Sequence, residues 1–435
     1  MTFVSTSQPE GQSFSLSEAL RLGPAPDGGL FMPSRLEPLP QEILNSFVDA
    51  DLPKIGYEVL RHLLAGDLSE PKIFEIAVEA LDFPIPLKKV TQSIGVLEIF
   101  HGPTLAFKDV GARFLARLLA ATREEGDDRD STVLVATSGD TGGAVAQAFH
   151  GVEGTRVAIL YPEGKVSPVQ ERQFTTLGGN VRAFAVDGAF DDCQRLVNEA
   201  FADRDLAEKV RLTSANSINV GRLLPQIIYY FHAAAEAARQ GLGPIRFCTP
   251  SGNFGNLTAG LLARRMGLDC KFLAATNAND VVPIYLETGN YEPRASTATI
   301  SNAMDVGRPN NFVRIQHLYG HDLDAIRGDV TGYRFTDEET REVMARVFRR
   351  EEYLLDPHTA VGWAAMERSQ QDTPTKTFGV VLGTAHPAKF GEVVEPAVGR
   401  KVALPEALAC HLDKDVKSEA VPADLAPLRR TLLDW

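Results

Sequence analysis

From about residue 96 onward, short apolar runs alternate with stretches of helical period. The runs lie at 96–100, 132–136, 156–160, 181–186, 245–249, 271–275 and 378–382. They are continuously apolar instead of strictly alternating, which predicts strands covered on both faces and therefore mainly parallel sheets. Between them the spacing predicts helices from Lys108 onward and over 189–203, 220–240, 256–266 and 337–352. The fold class is α/β.

Residues 1–95 read differently, as a mixed segment that packs onto a catalytic body. Ser15 to Gly23 has the signature of a short capped helix closed by glycine, Asp27-Gly28-Gly29 that of a turn, and 57–65 and 71–80 are predicted helices. The stretch 290–319 is poorer in pattern and is expected to be a mobile loop near a site. No internal repeat or low-complexity tract interrupts the chain.

One lysine stands out. Lys108 follows the apolar triplet Leu105-Ala106-Phe107 and opens a helix whose Phe114, Leu115, Leu118 and Leu119 share one face. Burial of an amine disfavours its charged form and makes it nucleophilic enough to condense with an aldehyde. The plainer alternative is a surface lysine at a helix start, since lysines are seldom buried.

In parallel sheets, ligands collect beyond the carboxyl ends of strands. Three polar, glycine-bearing loops fall there: Ser138-Gly139-Asp140-Thr141-Gly142-Gly143, Ser251-Gly252-Asn253-Phe254-Gly255-Asn256, and Gly383-Thr384-Ala385-His386. In the second, Gly252 and Gly255 let successive N–H groups converge at a helix start, an arrangement suited to phosphate although also compatible with a simple turn. It is neither the dinucleotide G-x-G-x-x-G pattern nor a Walker loop, which favours a mononucleotide-sized cofactor over NAD or ATP. Asn216, Ser217, Asn219 and Arg222 form a polar group at another helix entrance, with Lys165 a further cation. Arg222 suits either a bidentate phosphate contact or a structural ion pair. His358 and His386 are candidates for general acids or for neutral histidines satisfied in their loops. His317 and His321 stand four apart with Gly320 between them and no following glutamate, so no metal site is expected.

The run His101-Gly102-Pro103-Thr104-Leu105-Ala106-Phe107-Lys108-Asp109 resembles the lysine segment of threonine synthases, pyridoxal-phosphate enzymes of fold type II. Further matching segments are Asp27-Gly28-Gly29-Leu30-Phe31-Met32-Pro33, Ala136-Thr137-Ser138-Gly139-Asp140-Thr141-Gly142, Ser214-Ala215-Asn216-Ser217-Ile218-Asn219, Ser251 to Asn256, Asp356-Pro357-His358-Thr359-Ala360-Val361-Gly362 and Gly383-Thr384-Ala385-His386-Pro387-Ala388-Lys389-Phe390. In this order they span nearly the whole chain, and the set is far more specific than any member. The expected organisation is two parallel-sheet α/β domains behind a small N-terminal mixed segment: 1–95 as that segment, 96–130 with 205–435 as the large cofactor-binding domain, and 131–204 as the smaller one.

The resemblance implies pyridoxal 5'-phosphate joined to Lys108 as a Schiff base. Its phosphate would lie on Gly252, Asn253, Phe254, Gly255 and Asn256, and its pyridine nitrogen on Thr384, where a neutral hydroxyl protonates the ring less than a carboxylate would. From the residues alone, Thr384 bonding its own loop remains the alternative. Thr137, Ser138, Gly139 and Thr141 would receive the substrate's α-carboxylate, with Asp140 serving loop structure. Asn216, Ser217, Asn219 and Arg222 would receive the substrate's phosphate. The implied reaction takes O-phospho-L-homoserine and water to L-threonine and phosphate, with Lys108 as the base at Cα and then Cβ. Other fold type II lyases, such as a threonine dehydratase or a phospho-lyase releasing a 2-oxo acid, share the lysine and the phosphate loop. A catalytically silent regulatory homologue is a reading from another class.

Composition narrows the partners. A length of 435 residues exceeds one ordinary core. The net charge of −13 argues against nucleic acid or an anionic membrane, both of which need a basic surface. The four cysteines are scattered without metal-ligand spacing, as expected in a reducing cytosol. Neither a targeting pattern near Met1 nor an apolar stretch of about 18 residues is present, so a cytoplasmic protein is expected; a monomer or homodimer is expected, although the sequence does not fix the oligomeric state.

Overall fold

The computed structural model describes residues 1–123, 129–372 and 376–435. Their contacts form two compact units, one of Met1–Ser34, Lys108–Arg222 and Leu404–Trp435, the other of Arg35–Phe107 and Leu223–Ala403. The boundaries expected near 95, 130 and 204 do not coincide with these limits, because strand pairing joins segments distant in sequence.

The first unit is built on a five-stranded parallel sheet in the order Ser418–Pro422, Val181–Asp187, Thr155–Pro162, Ser131–Ala136 and Leu212–Ser214. Its core joins Leu134, Leu160, Phe184 and Val186 to Leu196 and Val197 of the helix Phe190–Ala202 and to Leu428 and Leu432 of the helix Leu425–Leu433. Both edge strands escape the hydrophobic pattern. Ser418–Pro422 buries only Val421, and Leu212–Ser214 is very short. Thr2–Ser5 adds a small antiparallel sheet with Phe14–Ser15 and Phe31–Pro33. Ser15 and Glu18 make the expected capping box on Leu16–Leu22, and Gly23 closes that helix at φ 75°.

The second unit holds a six-stranded sheet ordered Val330–Arg334, Lys271–Thr276, Ile245–Pro250, Phe378–Gly383, Ile94–Glu98 and Leu87–Lys89. All pairs are parallel except the last. The strand expected over 96–100 is shifted, since the ladder ends with Glu98 opposite Gly383 while Ile99 and Phe100 stay buried beyond it. Pro225 has no N–H to continue a helix, so the one expected over 220–240 is broken by the 3-10 turn Leu224–Gln226 before Ile227–Arg239. The helix Pro357–Asp372 is buried on nearly every side, which erases the amphipathic stripe that sequence reading depends on.

Residues 290–319 are fastened, in contrast to the mobile loop expected there. The Asn277 amide donates to Thr299 at 2.8 Å and to Asp305 at 2.9 Å, and Asn279 donates to the Thr297 carbonyl at 2.9 Å. The segment ends in the helix Phe312–Leu318. No helix among the described residues is long and apolar enough to cross a membrane.

Candidate active site

Lys108 is the first residue of the helix Lys108–Ala121, whose Val110, Phe114, Leu115 and Leu118 are buried. Its side chain is 16% exposed, and Nζ lies 3.7 Å from Oδ2 of Asp140. Asp140 opens the helix Asp140–Phe149, and its other oxygen accepts a 2.8 Å bond from the Gln170 amide. The amine therefore stands at the loop predicted to receive a carboxylate, held by a carboxylate that is itself fixed from behind.

That loop is shaped by Thr137. Its hydroxyl accepts from the N–H groups of Gly139 at 3.0 Å and Gly142 at 2.8 Å, folding the chain back on itself. Gly139 sits at φ 145°, a conformation that favours glycine, and a Cβ there would lie 2.8 Å from the amide end of the Gln170 side chain, which would have to move. Ser138 is exposed and Thr141 half-buried.

The second polar group of this unit divides by burial. Asn219 is 0% exposed; its amide donates to the carbonyls of Leu20 at 2.9 Å and Ser214 at 2.8 Å, and its oxygen receives Gly221 N–H at 2.9 Å. Every group of that side chain is engaged in the fold. Arg222 is also buried and donates to the Ala215 carbonyl at 2.8 Å. Burial pushes the guanidinium down to about 10, opposed by the charge of buried Asp109. Asn216 and Ser217 remain half-buried, and Lys165 is exposed.

In the second unit, the strand Ile245–Pro250 runs into a turn whose Phe254 adopts a left-handed φ of 63° before the helix Gly255–Arg265. The opening N–H groups of a helix generally have no carbonyl behind them, so the start of this helix presents donors and a partial positive charge. A Cβ on Gly252 would come within 2.7 Å of Met304 Cα. Asn253 is held through its side-chain oxygen by Asn310 N–H at 2.5 Å and through its carbonyl by Asn311 N–H at 3.2 Å. The oxygen of buried Asn256 accepts from Tyr229 at 2.6 Å and Tyr230 at 2.8 Å. Tyr229, Tyr230 and Gln170 escaped the sequence reading, while Asn310 and Asn311 fell within the stretch 290–319 expected near a site but were given no role there. They are ordinary-looking residues of helices and turns, made relevant only by tertiary contact.

Thr384 is gripped by its backbone. Its N–H donates to Thr359 Oγ1 at 3.4 Å, and its carbonyl accepts Phe107 N–H at 2.8 Å. Thr359 is bonded in turn to Asp356, which caps the helix Pro357–Asp372. The Thr384 hydroxyl, on a residue 6% exposed, makes no hydrogen bond among the described residues. A buried, uncommitted hydroxyl at a strand end suits a polar ligand atom better than a loop bond. His358 donates Nδ1–H to Asp356 at 2.8 Å and accepts Ala303 N–H at 3.2 Å, the pattern of a neutral, satisfied ring. His386 caps a turn through Nδ1, and burial, assisted by His101, lowers its pKa. Among the described residues, no group of three or more histidines, cysteines or acids is placed to hold a metal.

The parallel α/β sheets, the amine at a helix start in one unit, and the glycine-bearing turn into a helix and the buried strand-end hydroxyl in the other are the kinds of group that pyridoxal-phosphate enzymes of fold type II use. A family profile described as pyridoxal-phosphate dependent enzyme matches residues 85–383. Profiles for the threonine synthase N terminus and C-terminal region match 2–81 and 359–431. The chain belongs to the threonine synthase family. It is 44% identical to the threonine synthase of Haemophilus influenzae over the full length of both chains, and 43% identical to that of Escherichia coli over 97% of each. The crystal structure of threonine synthase from Escherichia coli superposes with a TM-score of 0.91 at 40% identity, covering all of both chains. The PLP-bound threonine synthase from Brucella melitensis gives 0.92 at 34% identity, covering 100% of this chain and 99% of that one. A tomato threonine deaminase reaches only 0.55 at 16% identity over 76% of this chain and 95% of its own, a likeness of fold alone.

Pyridoxal 5'-phosphate is the cofactor, and the residues fit it. Its aldehyde requires a primary amine, its phosphate an anion nest, and its ring nitrogen a polar partner. Lys108, the loop 251–256 and Thr384 offer these three functions.

Proposed function

We infer that this protein converts O-phospho-L-homoserine and water into L-threonine and phosphate. The observation that carries the reading is the position of Lys108 Nζ, 3.7 Å from Asp140 in the loop 137–142, which puts an amine beside the turn suited to an amino acid's carboxylate. Bound pyridoxal phosphate supplies an aldehyde for the substrate's amine and a ring that draws electrons from its α-carbon.

The chain's own residues do the rest. Gly252, Asn253, Phe254, Gly255 and Asn256 would hold the cofactor's phosphate, and the Thr384 hydroxyl would serve as the polar partner of the ring nitrogen. Lys108 takes the Cα proton and later a Cβ proton, after which the phosphate departs from Cγ; protonation at Cγ, addition of water at Cβ and return of a proton to Cα give the product. Asp140 keeps the amine in place between these transfers. Ser138, Thr141 and the backbone at Gly139 bind the α-carboxylate, and Thr137 shapes their turn. Asn216 and Ser217 are the half-buried groups suited to the substrate's phosphate, while Asn219 and Arg222 support them from within the fold.

We place the protein in the cytoplasm, as a monomer or homodimer. Incubating the purified protein with O-phospho-L-homoserine should yield threonine and phosphate in equal amounts. Release of 2-oxobutyrate in place of threonine would overturn the assignment in favour of a dehydratase-like lyase.

A further inference from the structure

Beneath the anion nest lies a cation that no step of the reaction uses. Arg314, on the helix Phe312–Leu318, is 0% exposed and donates from Nη1 to the Oδ1 of Asn311 at 2.5 Å. Asn311 is equally buried, and its own contacts run to the nest. Its N–H reaches the Asn253 carbonyl at 3.2 Å, and its Nδ2 stands 3.3 Å from where a Cβ on Gly255 would be. An amide whose oxygen is claimed by a guanidinium must turn its NH₂ the other way, and here that side meets the start of the helix Gly255–Arg265. Burial pushes the guanidinium down to about 9, which still leaves it charged at neutral pH. A buried charge is poorly screened and acts on neighbouring groups more strongly than a surface arginine does.

We propose that Arg314 and Asn311 are positioning residues for the cofactor's phosphate: Arg314 locks Asn311 against Asn253 and Gly255 and supplies a fixed positive charge under the nest. Both act through the loop 251–256. Together they set the nest's shape and its preference for a doubly charged group. The proposal rests on the reading of the loop 251–256 as the phosphate site and adds what tunes it.

The test compares pyridoxal 5'-phosphate with pyridoxal, which lacks the phosphate, by absorbance titration of the resolved apoenzyme. Arg314→Met should weaken the phosphorylated cofactor about tenfold or more and leave pyridoxal within about twofold of the parent. Arg314→Lys, which keeps the charge, should recover most of the loss. Equal weakening of both ligands by Arg314→Met, or no change in either, would overturn the proposal. If Arg314→Met fails to fold by circular dichroism, Asn311→Ala decides the question: a loss confined to the phosphorylated ligand supports the brace, and an unchanged ratio sinks it. Should the parent protein itself show no preference for pyridoxal 5'-phosphate over pyridoxal, the fault lies with the phosphate-site reading and not with the brace.

Discussion

The amide N–H of Phe107 donates to the carbonyl of Thr384 at 2.8 Å. The residue immediately before Lys108 is thus fixed to the residue whose hydroxyl is left uncommitted. Ala106 bridges Ala385 beside it, and Lys389 Nζ donates to the Thr104 carbonyl at 2.6 Å. Leu105, within the same stretch, is held at a left-handed φ of 57°, a conformation that costs a non-glycine residue about 1–2 kcal/mol. The pairing holds this strained stretch so that the helix begins at the lysine.

Replacing Lys108 with alanine removes both the covalent attachment and the base. Turnover should fall by at least about a thousandfold, and the absorbance of lysine-linked cofactor should disappear from the purified protein. A variant with the parent spectrum and rate would refute the role.

Thr384→Val keeps the shape and deletes the hydroxyl. Because the group is buried, loss of its bond to a charged or polar ring atom should lower kcat about 10- to 100-fold. Thr384→Ser should restore most of the rate, and thermal melts of all three proteins should agree closely. A melt that drops in step with the rate would assign the hydroxyl to the fold.

Gly252→Ala places a methyl group 2.7 Å from Met304 Cα and 3.0 Å from the Ala303 carbonyl. Backbone cannot yield there as a flexible side chain can. We expect a stability loss of about 1–3 kcal/mol by denaturant titration and a clear fall in cofactor affinity. The same change at Gly164, with nothing within 4 Å, should spare cofactor binding and serves as the control, although its φ of 66° makes it mildly strained.

Asp329 gives a pH prediction. Burial raises its pKa, but bonds from Arg264, Lys271 and Tyr319 outweigh that and hold the carboxyl down at about 2. A folded-state pKa below the unfolded one means stability that is present above about pH 4 and lost as pH falls through about 2. Asp329→Asn should therefore cost about 1–2 kcal/mol at pH 7, a figure reduced for solvent screening, with the gap to the parent closing below about pH 4. A difference that stays constant down to pH 2 would contradict the ionic origin.

Cofactor chemistry was legible along the chain because it depends on local features. An amine after an apolar triplet, glycines at a strand end and a threonine closing a buried run each leave a mark within a few residues. The capping box at Ser15 and Glu18 and the long amphipathic helix Asp337–Glu351 were readable for the same reason, since neighbours in sequence create them.

What the tertiary structure alone decided are the pairings between distant segments. Nothing near residue 418 announces that Ser418–Pro422 lies beside Val181–Asp187, nor does the polar run at 299–305 announce that Asn277 ties it down. Asn219 reads as a ligand-facing polar residue until Leu20, 199 positions away, is found to accept its amide. Sequence determined which chemical groups the protein owns, because side-chain chemistry and local backbone preference are properties of a few adjacent residues. Folding decided which of those groups face a ligand and which hold the frame, because hydrogen bonding and burial are set by contacts that the linear order does not encode locally.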